Sequence, residues 1–345
     1  QKQFLEFVDA FHNRDYEHSY SLLKDLEEFK SMPYEEKFRI ERAFLFFGQP
    51  EISMRLLDSI RDEAVKNEDY LYWIDCSVVS TLLGDKNQAI FAATKAREVA
   101  KGKGRKMVLS HYGAVILRFA DEKEGDRVIE GALAFEKEFP DVKILTPYNF
   151  DLEKDKIIGM IKERQKWVQN IKKIYKNNPI PSYYLQETFK QPYISVWSGR
   201  DPEMPLEFSI SSETFLKELA DNFSSAKKIV FDYLSLLTLS KLNLLSVLDK
   251  LLPEMEITLS LFDKIQNELL KKENPYLRKL WDFLRKSKII KIVEKIKPAK
   301  LQSSKMTNIF EPWLIDTIML TKQKNARMAT DDFRLLRFLK SEDIL

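Results

Sequence analysis

Four acidic positions in the last third of the chain stand where carboxylates are poorly tolerated. Asp232 follows Lys228-Ile-Val-Phe and precedes Tyr-Leu-Ser-Leu-Leu237. Asp316 lies inside Pro312-Trp-Leu-Ile-Asp-Thr-Ile-Met-Leu320, and Asp331-Asp332 closes the run Ala326-Arg-Met-Ala-Thr330. Asp is depleted in strands and disfavoured in helix interiors. Burying an ionised carboxylate is costly unless it is paired or holds a cation. Hard oxygen donors with no His or Cys among them suit Mg2+ or Mn2+ rather than zinc. A cation so held grips a phosphodiester, acidifies a bound water and stabilises charge during in-line displacement. Two structural roles compete with this one: Asp331 as the N-cap of a last helix, and Asp316 paired with a buried Arg or Lys.

The flanking pattern says how such acids would be positioned. Lys227-Lys-Ile-Val-Phe-Asp232 reads as a short buried strand ending at an acid, and Leu234 to Leu252 as a helix. Met255 to Ser260 and Ile289 to Val293 read as further strands, with helices at Leu261–Lys272 and Tyr276–Lys286. A helix through Glu311 to Thr321, a strand at Arg327–Thr330 and a helix from Phe333 to Lys340 complete the series. Alternating strands and helices imply a parallel sheet flanked by helices, whose functional crevice lies at the carboxyl ends of the strands. Asp232 and Asp331-Asp332 both fall at that end.

In this order the residues resemble the PIN-domain ribonucleases, over about residues 226–345. That family places an Asp at the end of its first strand, an acid on the helix after the second strand, an Asp inside a later apolar helix, and Thr-x-Asp after the fourth strand. The matching positions here are Asp232, then Asp263 or Glu268, then Asp316, then Thr330-Asp331-Asp332. Trp313-Leu-Ile-Asp-Thr-Ile-Met-Leu followed by Ala-Thr-Asp-Asp-Phe-Arg-Leu-Leu336 carries most of the likeness. The resemblance implies a metal-dependent endoribonuclease using Mg2+ or Mn2+ and acting on single-stranded RNA. Asp232 and Asp316 would be its primary ligands, with Asp332 and Asp263 completing the cluster. Glu311, one and a half turns before Asp316, reaches toward the same site, Asp331 serves as ligand or cap, and Thr330 orients a water or a phosphate oxygen. The alternative is a non-catalytic adaptor, with a repeat array joined to a degenerate PIN-like RNA-binding or docking module.

The first 146 residues have a different texture. Phe11, Phe47, Leu83 and Phe119 recur every 36 residues. Phe4, Ile40, Cys76 and Tyr112 keep the same period, as do Phe7, Ala43, Val79 and Val115, and Tyr20, Leu56, Ala92 and Val128. The first three positions of each unit are spaced i, i+3, i+7, one helical face. A polar break such as Gly84-Asp-Lys-Asn87 then precedes a second helix. Such units stack because none buries its apolar face alone. Leu82-Leu-Gly-Asp-Lys-Asn-Gln-Ala-Ile90 resembles the tetratricopeptide repeat, implying a helical-hairpin solenoid that binds a protein partner. Cys76 falls on a core rank and reads as a buried thiol. His12, His18 and His111 read as turn or surface residues without metal-ligand neighbours.

The expected fold is therefore mostly α with a C-terminal α/β domain: a repeat array over 1–146, a helical connector over 147–205 and a PIN-like domain over 206–345. The connector opens on a long amphipathic helix, Leu152 to Lys176, stopped by Asn177-Asn-Pro-Ile-Pro181. Its two following short helices also admit a DNA-reading helix-turn-helix over 180–205.

Composition agrees with this division. At 345 residues the chain exceeds one ordinary core. Its 44% hydrophobic content excludes disorder, and only 9 Gly and 13 Pro favour helix. No apolar run reaches the roughly 18 residues of a membrane span. The lone Cys76 cannot form an internal disulfide, and no secretory signal opens the chain, so the cytosol is the expected compartment. The chain opens on Gln1 rather than Met, as a fragment of a longer protein or a processed chain would. Net charge is +3, yet thirteen basic residues face four acids between Lys264 and Lys305, either a solvated face or a surface for a polyanion.

Overall fold

The structure is a computed structural model that describes residues 2–12, 18, 21–22, 32–102, 104–119, 122–140, 150–178, 181–189, 193–198, 228–252, 254–293 and 310–341. Two compact units divide the chain: residues 1–147 with Leu269–Glu273, and residues 148–268 with 274–345. Among the described residues, no helix is long and apolar enough to cross a membrane.

The first unit is helical: α1 (Lys2–His12), α2 (Tyr34–Phe46), α3 (Pro50–Lys66), α4 (Tyr70–Leu83), α5 (Lys86–Val99), α6 (Gly104–Arg118) and α7 (Glu122–Glu138). From α2 onward each helix packs on the next. The turns explain the spacing. Gly84, at φ 81°, closes α4 in the left-handed conformation that suits glycine, and the Asp85 side chain caps α5 by accepting Gln88 N–H. Asp69 caps α4 in the same manner through Leu71 N–H, and Pro50 opens α3 at its first turn.

The 36-residue ranks appear as burial. Ile40, Cys76 and Tyr112 are buried, and so are Phe7, Ala43, Val79 and Val115. The rank that marks the period most plainly in the sequence is buried only in part: Phe47 lies in the core. Leu83, in the last turn of α4, is 37% exposed, and Phe119 is half-buried just beyond α6. Ala89, Ala92, Ala93 and Ala96 are fully buried on α5, whose small side chains let α4 and α6 approach closely. Ser53 Oγ donates to Glu41 O and Ser77 Oγ to Ala89 O, each at 2.9 Å, tying neighbouring helices through their backbones.

In the second unit, α8 (Phe150–Asn177), α9 (Tyr183–Phe189) and α10 (Tyr193–Ser198) precede a small α/β core. Residues 199–205 of the expected turn lie outside the described residues. The core runs β1 (Ile229–Phe231), α11 (Tyr233–Lys241), α12 (Leu245–Leu251), β2 (Met255–Thr258), α13 (Leu259–Lys271), α14 (Pro275–Lys286), β3 (Ile290–Val293), α15 (Pro312–Gln323), β4 (Arg327–Ala329) and α16 (Phe333–Ser341). All strand pairs are parallel, in the order β3-β2-β1-β4. The chain is thus mostly helical with a small parallel sheet in its C-terminal part.

The single helix expected over Leu234–Leu252 is divided. Asn243 adopts φ 57° between α11 and α12, a conformation Asn tolerates better than most residues, and the chain turns there. Every residue of β1 and β2 is buried, and α15 packs on β1, β2 and β4. Phe262 and Trp281, with ring centroids 4.9 Å apart, join α13 to α14.

Candidate functional site

The register of the sheet assembles the site. β1 and β4 pair Ile229 with Arg327, Val230 with Met328 and Phe231 with Ala329, so Asp232 and Thr330 leave adjacent strands side by side. The Thr330 hydroxyl donates to Asp232 Oδ2. Asp232 Oδ1 caps α11 by accepting Ser235 N–H at 2.8 Å, and Oδ2 also accepts the Tyr183 hydroxyl at 2.7 Å. Asp232 is fully buried, and burial outweighs these donors, raising its carboxyl to about 6.

Asp332 caps the last helix: Oδ1 accepts Leu335 N–H at 3.1 Å. Its Oδ2 accepts both the N–H and the hydroxyl of Ser182, at 2.7 and 2.6 Å. Ser182 Oγ lies 2.9 Å from the Tyr193 hydroxyl. Burial raises the Asp332 carboxyl above the usual range, and the Ser182 donors partly offset this.

Glu268, on α13, is also buried. Oε1 accepts Tyr193 N–H at 2.7 Å, while Oε2 accepts Ile194 N–H at 3.0 Å and the Tyr233 hydroxyl at 2.9 Å. Lys264 Nζ bridges Glu268 at 3.4 Å and Glu311 at 2.7 Å. Glu311 sits just before α15 and further accepts Gln186 Nε2 and Trp313 Nε1. Tyr183, Tyr193, Tyr233 and Trp313 enclose these groups, with ring centroids 4.6–5.8 Å apart in successive pairs.

Asp232, Asp332, Glu268 and Glu311 therefore share one hydrogen-bonded and aromatic network. The other three candidates take no part in it. Asp316 is half-buried and accepts the Ser260 hydroxyl at 2.6 Å, beside Thr258 at the end of β2. Asp263 accepts Asn267 Nδ2 at 2.9 Å, and burial raises its carboxyl. Asp331 is half-buried beside the Thr238 hydroxyl, its carboxyl likewise raised by burial. Asp331 is not the cap of the last helix; its neighbour Asp332 fills that role. Of the two alternatives for the second acid, Glu268 joins Asp232 through Tyr233 and the tyrosine rings, and Asp263 does not.

The donor set is chemically right for Mg2+ or Mn2+, but its arrangement does not fit one. Among the described residues, no group of three or more His, Cys, Asp or Glu side chains converges closely enough to hold a metal ion. Asp232 and Asp332 instead spend their oxygens on hydroxyl and amide donors. Ser182, Tyr183, Tyr193 and Lys264 escaped sequence reasoning. Three of them belong to the connector, far away in the chain, and only Lys264, one turn from Glu268, carried a local hint.

Within the 180–205 span considered as a helix-turn-helix, Tyr183, Leu185, Tyr193 and Ile194 of α9 and α10 are buried and Tyr184 is exposed, and residues 199–205 lie outside the described residues. In the first unit, a cavity of about 460 Å³ is lined by Arg97, Arg105, Glu130 and Gly131 among others. Gly131 permits the close approach of α6 and α7 there, since a Cβ would meet Leu109 Cδ2 at 2.9 Å. His111, expected at a turn or on the surface, is instead half-buried within α6, and burial lowers its pKa to about 4. His18 pairs with Glu6 at 3.4 Å on an exposed face.

No family model, curated protein or solved structure matches the chain.

Proposed function

We propose that the second unit is a metal-dependent endoribonuclease module, and that the helical first unit is a tetratricopeptide-like array that engages a protein partner. The observation that carries this reading is the meeting of Asp232 and Thr330 at the carboxyl ends of adjacent parallel strands, with Asp332 two residues on. An open parallel sheet binds ligands at that edge. RNA as substrate rests on the resemblance to PIN-domain ribonucleases and on the basic run, of which Lys286, Lys288 and Lys291 are exposed. The test is cleavage of single-stranded RNA in Mg2+ or Mn2+ by the parent and by Asp232→Asn and Asp316→Asn. Loss of cleavage in folded variants supports the reading; variants that cut as fast as the parent end it.

A second reading, a non-catalytic docking or RNA-binding module, is favoured by the complete engagement of Glu268 and Asp332 with protein donors. It predicts RNA binding with no metal-dependent rise in melting temperature under any condition or in any variant.

A further inference from the structure

Three successive helices of the first unit meet around the cavity of about 460 Å³, a size within the range of small-molecule sites. Arg97 enters from the last turn of α5, Arg105 from α6 and Glu130 from α7. Ala100, Val108 and Leu109 are buried and give the cavity an apolar wall, while Gly131 adds no side chain to the space. The charged groups are held in place before any ligand arrives. The Arg97 guanidinium lies over the Tyr112 ring, 4.6 Å from its centroid, and that of Arg105 lies 6.0 Å from the Phe135 centroid. Both rings are fully buried, so the stacked cations have little freedom left to lose on binding. Stacking uses the flat face of a guanidinium and leaves its N–H edges for a planar, bidentate anion. The side chains of Arg97 and Glu130 have no hydrogen-bond or ion-pair partner among the described residues, although they line the same cavity.

Two guanidiniums less one carboxylate leave the lining a charge of +1. That charge matches a carboxylate, at −1, better than a phosphate monoester, which carries about −1.5 to −2 at neutral pH. We propose that this cavity binds a small monocarboxylate with an apolar body. Arg97 and Arg105 hold the carboxylate, and the body lies against Ala100, Val108 and Leu109. Glu130 is exposed, and its own carboxylate sets the selectivity by repelling a second negative charge. A free acid and the carboxylate that ends a peptide share this chemistry. The cavity belongs to the first unit alone, so the proposal rests on neither the nuclease nor the partner-binding reading.

The test titrates the full chain by calorimetry with three probes: phenylbutyrate, an acetylated alanine-alanine-leucine tripeptide with a free carboxylate, and phenyl phosphate. At least one carboxylate is expected to bind saturably with a Kd of about 1 mM or tighter, and the one that does tells a free acid from a chain end. Weaker binding of both overturns the proposal. Phenyl phosphate is expected to bind at least about tenfold more weakly than the better carboxylate, and equal or tighter binding overturns the monocarboxylate assignment. Arg97→Gln should weaken the carboxylate at least about tenfold, the effect of losing charge-assisted hydrogen bonds. Glu130→Gln should narrow the preference over phenyl phosphate, a change that a merely structural role for Glu130 would not produce. A folded Arg97→Gln variant that binds as the parent does, or a Glu130→Gln variant with the parent's preference, overturns the site. Should Arg97→Gln not fold, Glu130→Gln at its exposed position carries the comparison.

Discussion

The Tyr183 hydroxyl donates to Asp232 at 2.7 Å and, at the same oxygen, accepts Leu234 N–H at 3.0 Å. One phenol thus satisfies a buried carboxylate and an orphan amide in the first turn of α11. Such an oxygen is hard to replace, because its loss leaves two buried groups without a partner.

Tyr183→Phe is therefore expected to lower the stability of the metal-free protein by about 1–3 kcal/mol. Urea unfolding at neutral pH reads the effect. A variant as stable as the parent would mean that water replaces the hydroxyl at no cost.

Asp332→Ala removes the cap of α16 and leaves the N–H and hydroxyl of Ser182 without their acceptor. The expected loss is about 2–4 kcal/mol, combining a lost N-cap with stranded buried donors. Asp331→Ala, one residue away and outside the network, is the matched control and should cost less than about 1 kcal/mol. Equal losses in the two variants would show that the network contributes nothing particular.

Glu41 gives the first unit a pH dependence of definite sign. Its side chain is fully buried, and neither carboxyl oxygen has a hydrogen-bond partner among the described residues. Burial first, and then the charge of Asp75, push its carboxyl up to about 9. Asp75 itself pairs with Arg42 at 2.7 Å. The folded chain keeps the Glu41 proton where the unfolded chain has lost it, so this group's stabilisation is full below 4.5 and declines as pH rises through 9. Glu41→Gln has no proton to lose and should flatten the fall of melting temperature over that range. Parallel curves for variant and parent would contradict the assignment.

Cys76 is buried in the core of the first unit, and burial pushes its thiol up to about 12. The thiol stays protonated at neutral pH, and the thiolate is the reactive form. Iodoacetamide should label the native protein at least about 100-fold more slowly than the urea-unfolded chain. Rapid native labelling would place Cys76 at the surface.

Much of the fold was legible because it rests on local rules. The strand at Ile229–Phe231 was visible as an apolar run closed by an acid, and the helix expected over Tyr276–Lys286 is α14, which the Asn274 side chain caps. The division at Asn243 was not, because a left-handed residue inside a Leu-rich run breaks no hydrophobic period. Asp232 and Asp332 were found as misplaced charges, and the structure does bury them. Their partners were hidden. Ser182 lies 150 residues from Asp332, and no spacing rule links a Ser-Tyr pair after a proline to an acid that far away. Glu268 was ambiguous for a related reason: its acceptor role is set by Tyr193 and Ile194 N–H, and a backbone donor leaves no mark in a sequence.

The most direct test of the proposed nuclease is cleavage of single-stranded RNA in Mg2+ or Mn2+ by the parent and by the Asp232→Asn variant. The account predicts cleavage by the parent and its loss in a variant that still folds. Equal cleavage by the two, or none by the parent, would contradict it.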